Sequence, residues 1–147
     1  MKLAEALLLR SDIQKKLASI QQRIQQNVLV QEGDEPSENP QDLINEALEL
    51  NKTLYNLIKR IHLTNAHGEN LINLLSRRDL LIAQHQVLQQ ALDHAQRDSE
   101  RYSMREIKWL KTIPIAKIQK QADDISATLR QLNVDIQSTN WQIDLML

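Results

Sequence analysis

The stretch IAKIQKQADDISATLRQLNVDIQSTNWQIDLM, residues 115–146, determines the fold. Its apolar residues recur at alternating steps of three and four, and the residues between them are mostly Lys, Gln, Asp, Ser, Arg and Asn. The positions reached by these steps are all apolar except for one threonine: Ile115, Ile118, Ala122, Ile125, Leu129, Leu132, Ile136, Thr139, Ile143 and Met146. A heptad pattern of this length predicts a long helix that winds against at least one other helix.

The composition extends this prediction to the whole chain. Aromatic residues make up 3% of the sequence, Phe is absent and there are only 2 glycines. So few aromatic and turn-forming residues disfavour a sheet-rich protein, whereas Leu, Gln and Ala are compatible with helices. The length of 147 residues suits one domain with its own core. We therefore predict a single all-α domain over residues 1–147.

Four segments show the apolar period of a helix: about residues 2–27, 40–64, 70–97 and 114–146. The second helix has the clearest start, because Asn39 supplies a capping acceptor and Pro40 suits the first helical position. The connection between the second and third helices is short, which makes them antiparallel neighbours. The sequence thus predicts an elongated antiparallel four-helix bundle or coiled coil.

Two connections contain extended-looking segments. Residues 28–30 are Val-Leu-Val, and residues 107–113 alternate partly between apolar and polar side chains. In an up-down-up-down bundle both connections emerge at the same end. We expect a small β-pairing between them, with Trp109 covering the end of the core.

Short segments spread over nearly the whole chain resemble those of a known family. They are MKLAEAL at residues 1–7, VQEGD at 30–34, TN at 64–65, RRD at 77–79, RYS at 101–103, EI at 106–107, NW at 140–141 and DL at 144–145. Together they resemble the septicolysin-like family of small bacterial helical proteins. The resemblance implies a coiled-coil-like protein of unknown biochemical role, and the family label suggests a haemolysin-like, membrane-active protein as an alternative. Pro114 departs from the family pattern, which has an acidic helix start there, and affects helix capping only.

The acidic connection offers weak candidates for metal ligands. Glu32, Asp34 and Glu35 carry carboxylate oxygens, which hard cations prefer. Their spacing does not match a calcium-binding loop, and Pro36 interrupts it, so a solvated turn is the alternative reading. We predict no metal site and no cofactor, and keep these three residues as the candidates for a cation.

The two connections together form a candidate loop-cap site for a ligand, a metal or a reaction. Its residues are Asp34, Arg97, Arg101, Tyr102 and Trp109. Cations interleaved with aromatic rings are also what a single-stranded nucleic-acid platform uses. The net charge of −1 and the nearby acidic loop argue against nucleic acid, and the small-molecule ligand stays unknown.

No catalytic motif is present in the sequence. There is no cysteine, no phosphate-binding glycine loop and no pair of histidines at metal-ligand spacing. We therefore expect no enzymatic activity. The opening leucines are too few for a secretion signal and no stretch has the length of a membrane span, so we expect a cytoplasmic protein without membrane insertion.

The last helix has a second apolar side. Ala127, Val134 and Trp141 follow one another at intervals of seven, away from the main heptad pattern, and Leu145 adds apolar surface near the end. A helix that is apolar on two sides has two partners. We predict a homo-oligomer whose subunits meet at these four residues, and a structural or interaction protein as the function.

Overall fold

A computed structural model describes residues 1–68, 70–100 and 109–147, with side chains described for all of these except 97–100. These residues form four helices and no strand, which confirms the all-α prediction. The helices are α1 (Leu3–Asn27), α2 (Pro40–His67), α3 (Leu71–Glu100) and α4 (Ile115–Gln142). All four begin within a residue of the predicted start. α2 and α3 end three residues later than predicted, and α4 ends four residues earlier.

Local chemistry explains where α1 and α2 begin. The backbone N–H of Lys2 donates to Glu5 Oε2 at 2.7 Å, which satisfies one of the free donors at the start of α1. The side chain of Asn39 accepts from the Gln41 N–H at 2.9 Å, and Pro40 occupies the first position of α2. This is the helix start that the sequence predicts for α2.

The chain divides into two compact units. Unit 1 comprises Met1–Glu69 and Thr139–Leu147, and unit 2 comprises Asn70–Ser138. In unit 1, α1 packs against α2. The buried side chains of α1 and α2 recur at helical spacing on one side of each helix: Leu3, Ala6, Ile13, Leu17 and Ile20 on α1, and Leu43, Ala47, Leu57 and Ile61 on α2. The prediction of a single domain stays a prediction.

Unit 2 contains α3 and all of α4 except its last turn. Its buried apolar residues are Leu71 and Leu92 on α3, and Ala122, Leu132 and Ile136 on α4. All five belong to the apolar patterns from which these helices were predicted. Arg78 and His85, the two polar residues in the apolar pattern of α3, are both half-buried.

The end of α4 corrects the sequence prediction. The heptad pattern extends the helix to Met146, but α4 ends at Gln142 and residues 143–147 run beside the first residues of the chain. Leu3 N–H donates to the Ile143 carbonyl at 2.9 Å, and Leu145 N–H donates to the Met1 carbonyl at 2.9 Å. These bonds replace the helical ones that residues 143–147 give up. We call this pairing of residues 1–3 with residues 143–147 the terminal clasp.

Three side-chain contacts complete the terminal clasp. Lys2 Nζ lies 2.8 Å from Asp144 Oδ1, and this hydrogen-bonded ammonium lowers the pKa of the Asp144 carboxyl. On α2, the hydroxyl of buried Thr64 accepts from the Met146 N–H at 2.9 Å. Arg60 Nε donates to the Met146 carbonyl at 2.9 Å. The last residues of the chain are therefore held by α2 as well as by the first residues.

The predicted β-pairing between residues 28–30 and 107–113 is wrong for the part of it that the structure describes. Residues 28–30 and 109–113 form no strand, and residues 107 and 108 lie outside the described residues. Val28 instead continues the helical hydrogen bonding, since its N–H donates to the Ile24 carbonyl at 3.0 Å. The isolated β-bridge that the structure does describe joins Lys2 to Asp144.

Candidate functional site

The outer face of α4, which we define as Ala127, Val134 and Trp141, is the candidate site with the clearest geometry. All three residues are exposed, Val134 to 59% and Trp141 to 55%. Leu132 and Ile136, on the other side of the same helix, are 4% exposed each. An interval of seven residues is almost two full turns, so consecutive members of the face lie about 10.5 Å apart along the helix with little angular drift.

Leu145 differs from the other three predicted interface residues. It is only 7% exposed, because the terminal clasp turns it toward the core of unit 1. An apolar side chain already buried in its own chain offers no surface to a second subunit. The assignment of Leu145 to an oligomer interface is therefore corrected, and its role is in the core.

The acidic connection between α1 and α2 is anchored at Glu38, near the start of α2, by two residues of α1. Arg23 donates from Nε to Glu38 Oε2 at 2.9 Å, and its Nη2 pairs with the other carboxylate oxygen. These hydrogen bonds lower the pKa of Glu38. Buried Asn27 bridges the same point, since its Oδ1 accepts from the Glu38 N–H at 3.0 Å and its Nδ2 donates to the Arg23 carbonyl at 2.7 Å. These contacts therefore fix the chain just before α2 begins.

The metal candidates Glu32, Asp34 and Glu35 are all exposed. The turn around them is closed by the Asp34 N–H, which donates to the Gln31 carbonyl at 3.0 Å. Across residues 1–68, 70–100 and 109–147, no group of three or more acidic or histidine side chains is arranged to hold a metal ion. The connection is thus organised by its ion pair with Arg23 and by Asn27.

The loop-cap site falls partly outside the described residues. Arg101 and Tyr102 belong to the segment 101–108, and the side chain of Arg97 is among those not described. Trp109 is 70% exposed and lies beside an open cavity of about 280 Å³, which His94, Lys111 and Ile113 also line. Asp34 belongs to unit 1 and Trp109 to unit 2. The loop-cap site stays a prediction.

A further apolar surface on α3 escaped the sequence reasoning. Leu80 and Val87 are exposed to 55% and 67%, and Ala83 between them is also exposed. Val87 borders a cavity of about 470 Å³ together with Leu88, Gln84 and, from α4, Gln121 and Ile125. The signal was present in the sequence, because the spacing of 80, 83 and 87 follows a helical period on the side opposite the main pattern.

Comparison with known proteins identifies the family. A family model matches residues 10–145, which is most of the chain. The chain belongs to DUF6847, a family of unknown function. Within the solved structures, this DUF6847 chain is similar to a functionally unknown conserved protein from Corynebacterium diphtheriae. The two share 37% sequence identity and a TM-score of 0.91, and the match covers 99% of each chain.

The other comparisons add no biochemical role for the DUF6847 chain. No curated protein matches the sequence. The septicolysin-like resemblance is not addressed by either match and stays a prediction, as does the cytoplasmic location. As for the membrane-active alternative, no helix within the described part of the chain has both the length and the hydrophobicity that crossing a membrane requires.

Proposed function

We propose that the protein is a structural or interaction protein that self-associates through the outer face of α4. The observation that supports this most directly is the exposure of Val134 and Trp141, to 59% and 55%, on a helix whose opposite side is already buried. Large apolar side chains that repeat along one helical face are the pattern of a helix–helix contact. A second subunit that covers them removes apolar surface from water.

Covering Trp141 supplies a favourable hydrophobic contribution, from which the entropic cost of association, about 4–15 kcal/mol, is subtracted. A tryptophan side chain buries roughly 150–250 Å², so covering the exposed part of Trp141 removes about 80–140 Å² from water. At about 25 cal/mol per Å², that is about 2–3.5 kcal/mol for each copy of Trp141. Val134 adds to this sum, and tryptophan is the residue type most enriched among those that dominate binding energy.

We further propose that the helices of each unit pair in antiparallel, coiled-coil fashion. In unit 1, Lys16 of α1 lies 3.2 Å from Glu46 of α2, while Arg23, further along α1, pairs with the earlier Glu38. The order of the partners therefore runs backward as α1 runs forward. In unit 2, residues 84–88 share a cavity with residues 121–125, and residues 91–95 share one with residues 109–113, which supports the same order.

The test is the mass of the protein in solution. Trp141→Glu introduces a charge into the proposed contact, and burying an unpaired charge is costly, so the oligomer should dissociate to a smaller species in light scattering. Tyr55→Glu is the matched control, because Tyr55 is an aromatic residue of α2 that is 67% exposed and lies outside the outer face of α4. Circular dichroism checks that both variants keep their helices.

The expected result is a lower mass for Trp141→Glu and an unchanged mass for Tyr55→Glu. Trp141→Glu with the wild-type mass and intact helices contradicts self-association through this face. A wild-type protein that is monomeric at high concentration contradicts the proposal altogether. Equal loss of mass in both variants shows that the effect is not specific to the outer face of α4 and contradicts the proposed contact.

A further inference from the structure

Ile143 is the residue at which the chain leaves α4 and enters the terminal clasp. Its N–H still donates to the Thr139 carbonyl at 3.0 Å, as in a helix, whereas its carbonyl accepts from the Leu3 N–H at 2.9 Å. The heptad pattern of α4 nevertheless continues past this residue, through Ile143 to Met146. Residues 143–147 therefore have the apolar period of a helix and the hydrogen bonds of a different structure.

We infer that residues 143–147 are a conformational switch, which is either held in the terminal clasp or continues α4 as a helix. The clasped state is the one that the structure describes. Every contact that defines it lies within unit 1, which contains residues 1–69 and 139–147. The switch therefore operates within one unit and is independent of the proposed self-association.

The two states satisfy the same backbone donors with different acceptors. In the clasp, the Leu145 N–H donates to the Met1 carbonyl at 2.9 Å. The Met146 N–H donates to the hydroxyl of Thr64 at 2.9 Å. In a longer helix, each of these N–H groups would donate to the carbonyl four residues earlier. Neither state leaves the two donors unpaired, so backbone hydrogen bonding alone does not decide between the states.

Lys2 and Asp144 bias the switch toward the clasp. Lys2 Nζ lies 2.8 Å from Asp144 Oδ1 and donates to the Gln142 carbonyl at 3.1 Å. Its positive charge thus lies at the C-terminal end of α4, where the helix dipole favours a cation. In the helical state, Asp144 would lie in the last turn of a longer helix, where a negative charge is unfavourable. Asp144 therefore stabilises the clasp and destabilises the helix.

Leu145 links the switch to the apolar surface of the protein. In the clasp its side chain is 7% exposed. In a continued helix, Leu145 would follow Trp141 by four residues and would lie on the same side as this side chain, which is 55% exposed. Opening the clasp thus moves a leucine from the core of unit 1 to the surface around Trp141. The switch therefore controls how much apolar surface the end of α4 presents to solvent.

NMR spectroscopy of the whole chain tests the switch, because Cα chemical shifts distinguish helical from extended backbone. The opened variant combines Asp144→Asn with Thr64→Val, which removes the ion pair and the acceptor for the Met146 N–H. An exposed ion pair and a hydrogen bond each change an equilibrium by about two- to fivefold, so the combined change is about 4- to 25-fold. The Cα shifts of residues 143–147 should move from extended toward helical values.

Two further variants serve as matched controls. Asp144→Pro with Thr64→Val also removes the ion pair, but a proline inside a helix lacks the backbone donor and clashes with the preceding turn. Residues 143–147 then cannot join α4, so their Cα shifts should not become helical. Asp12→Asn with Thr53→Val changes an exposed carboxylate of α1 and an exposed hydroxyl of α2, both outside the clasp, and should leave these shifts unchanged.

Relaxation dispersion on the wild-type protein is a second measurement, which needs no substitution in the clasp. The minor state that it detects should have helical Cα shifts at residues 143–147. Helical shifts in the opened variant that Asp144→Pro abolishes support the switch. Shifts that stay extended in the opened variant, or that become those of a disordered chain, overturn it. Should the opened variant not fold, the wild type decides: a minor state with helical shifts supports the switch, and its absence overturns it.

Discussion

The hydroxyl of Thr64 should stabilise the terminal clasp from inside the protein. Thr64 is 1% exposed, and its Oγ1 donates to the Arg60 carbonyl at 2.8 Å while it accepts from the Met146 N–H at 2.9 Å. Thr64→Val keeps the shape of the side chain and removes the hydroxyl. The Met146 N–H then has no acceptor at this position. The loss of this hydrogen bond is the main destabilising effect of the substitution.

The magnitude follows from the fate of that N–H. A buried donor left without a partner costs about 1–3 kcal/mol, but Met146 is 40% exposed, so water replaces part of the lost hydrogen bond, and the added methyl group of valine offsets a further part. We therefore expect Thr64→Val to lower the free energy of unfolding by about 1 kcal/mol. With a urea m-value of about 2 kcal/mol per M, the unfolding midpoint should fall by about 0.5 M.

Thr53→Val is the matched control for this measurement. Thr53 is an exposed residue of the same helix whose Oγ1 donates to the Glu49 carbonyl at 3.2 Å, so it makes the same bond within the helix without contacting the chain end. Its substitution should change the free energy of unfolding by less than about 0.5 kcal/mol. The difference between the two variants isolates the contact with Met146.

Two results would refute this reasoning. One is a Thr64→Val protein whose stability matches that of Thr53→Val. The other is a Met146 amide that exchanges its hydrogen equally slowly in Thr64→Val and in the wild type, which would mean that the hydroxyl does not hold it. Thr64→Ser keeps the acceptor and should preserve the slow exchange of Met146 even though it loses a methyl group.

Two further predictions concern the ion pair and the core of unit 1. The carboxyl of Glu38 has a lowered pKa because Arg23 donates hydrogen bonds to it, so the folded state binds its proton more weakly than the unfolded state. Its contribution to stability is therefore fully present above the ordinary value of 4.5 and is lost as the pH falls through the lowered pKa. Urea unfolding of wild type and Glu38→Gln at a series of pH values should show a difference at neutral pH that shrinks in acid; a difference independent of pH would contradict it. Ile20→Ala removes a side chain that is 0% exposed and should cost about 2–5 kcal/mol, whereas Leu48→Ala, at 55% exposure, should cost under about 1 kcal/mol. Chemical denaturation measures both, and similar costs at the two positions would show that the core is elsewhere.

The helices were predictable because their signals are local. The period of apolar residues that includes Ile20 and Leu57 follows from the geometry of a helix and needs no knowledge of the partner. The start of α2 follows equally from Asn39 and Pro40, whose backbone preferences act within a few residues. For these features, the neighbouring residues in the sequence are sufficient to determine the structure.

The end of α4 was not predictable in the same way. Ile143 and Met146 continue the heptad pattern, so the local signal favours a longer helix. The groups that form hydrogen bonds with residues 143–147 in place of a continued helix belong to Met1, Leu3 and Thr64, which are far away in the sequence. The apolar period therefore indicates which residues favour a helix. It cannot predict which distant backbone groups will compete for their hydrogen bonds.

The same limit applies to the candidate site. The spacing of Val134 and Trp141 indicates a second apolar side, because a position on a helix face depends on local geometry alone. The burial of Leu145 depends on the terminal clasp, and the absence of a strand at residues 28–30 depends on whether a partner strand is available. β-branched side chains favour an extended backbone but do not specify a partner.

The terminal clasp has a consequence for the order of folding. Its ion pair joins Lys2 to Asp144, so forming it closes a loop of about 140 residues, whereas the Arg23–Glu38 pair closes one of about 15. Loop closure costs about 1.5RT times the logarithm of the length, so the clasp is about 2 kcal/mol more expensive in chain entropy. The α1–α2 hairpin should therefore form first and the two ends should meet after the rate-limiting barrier. Substitutions in the clasp would then accelerate unfolding while leaving the refolding rate nearly unchanged.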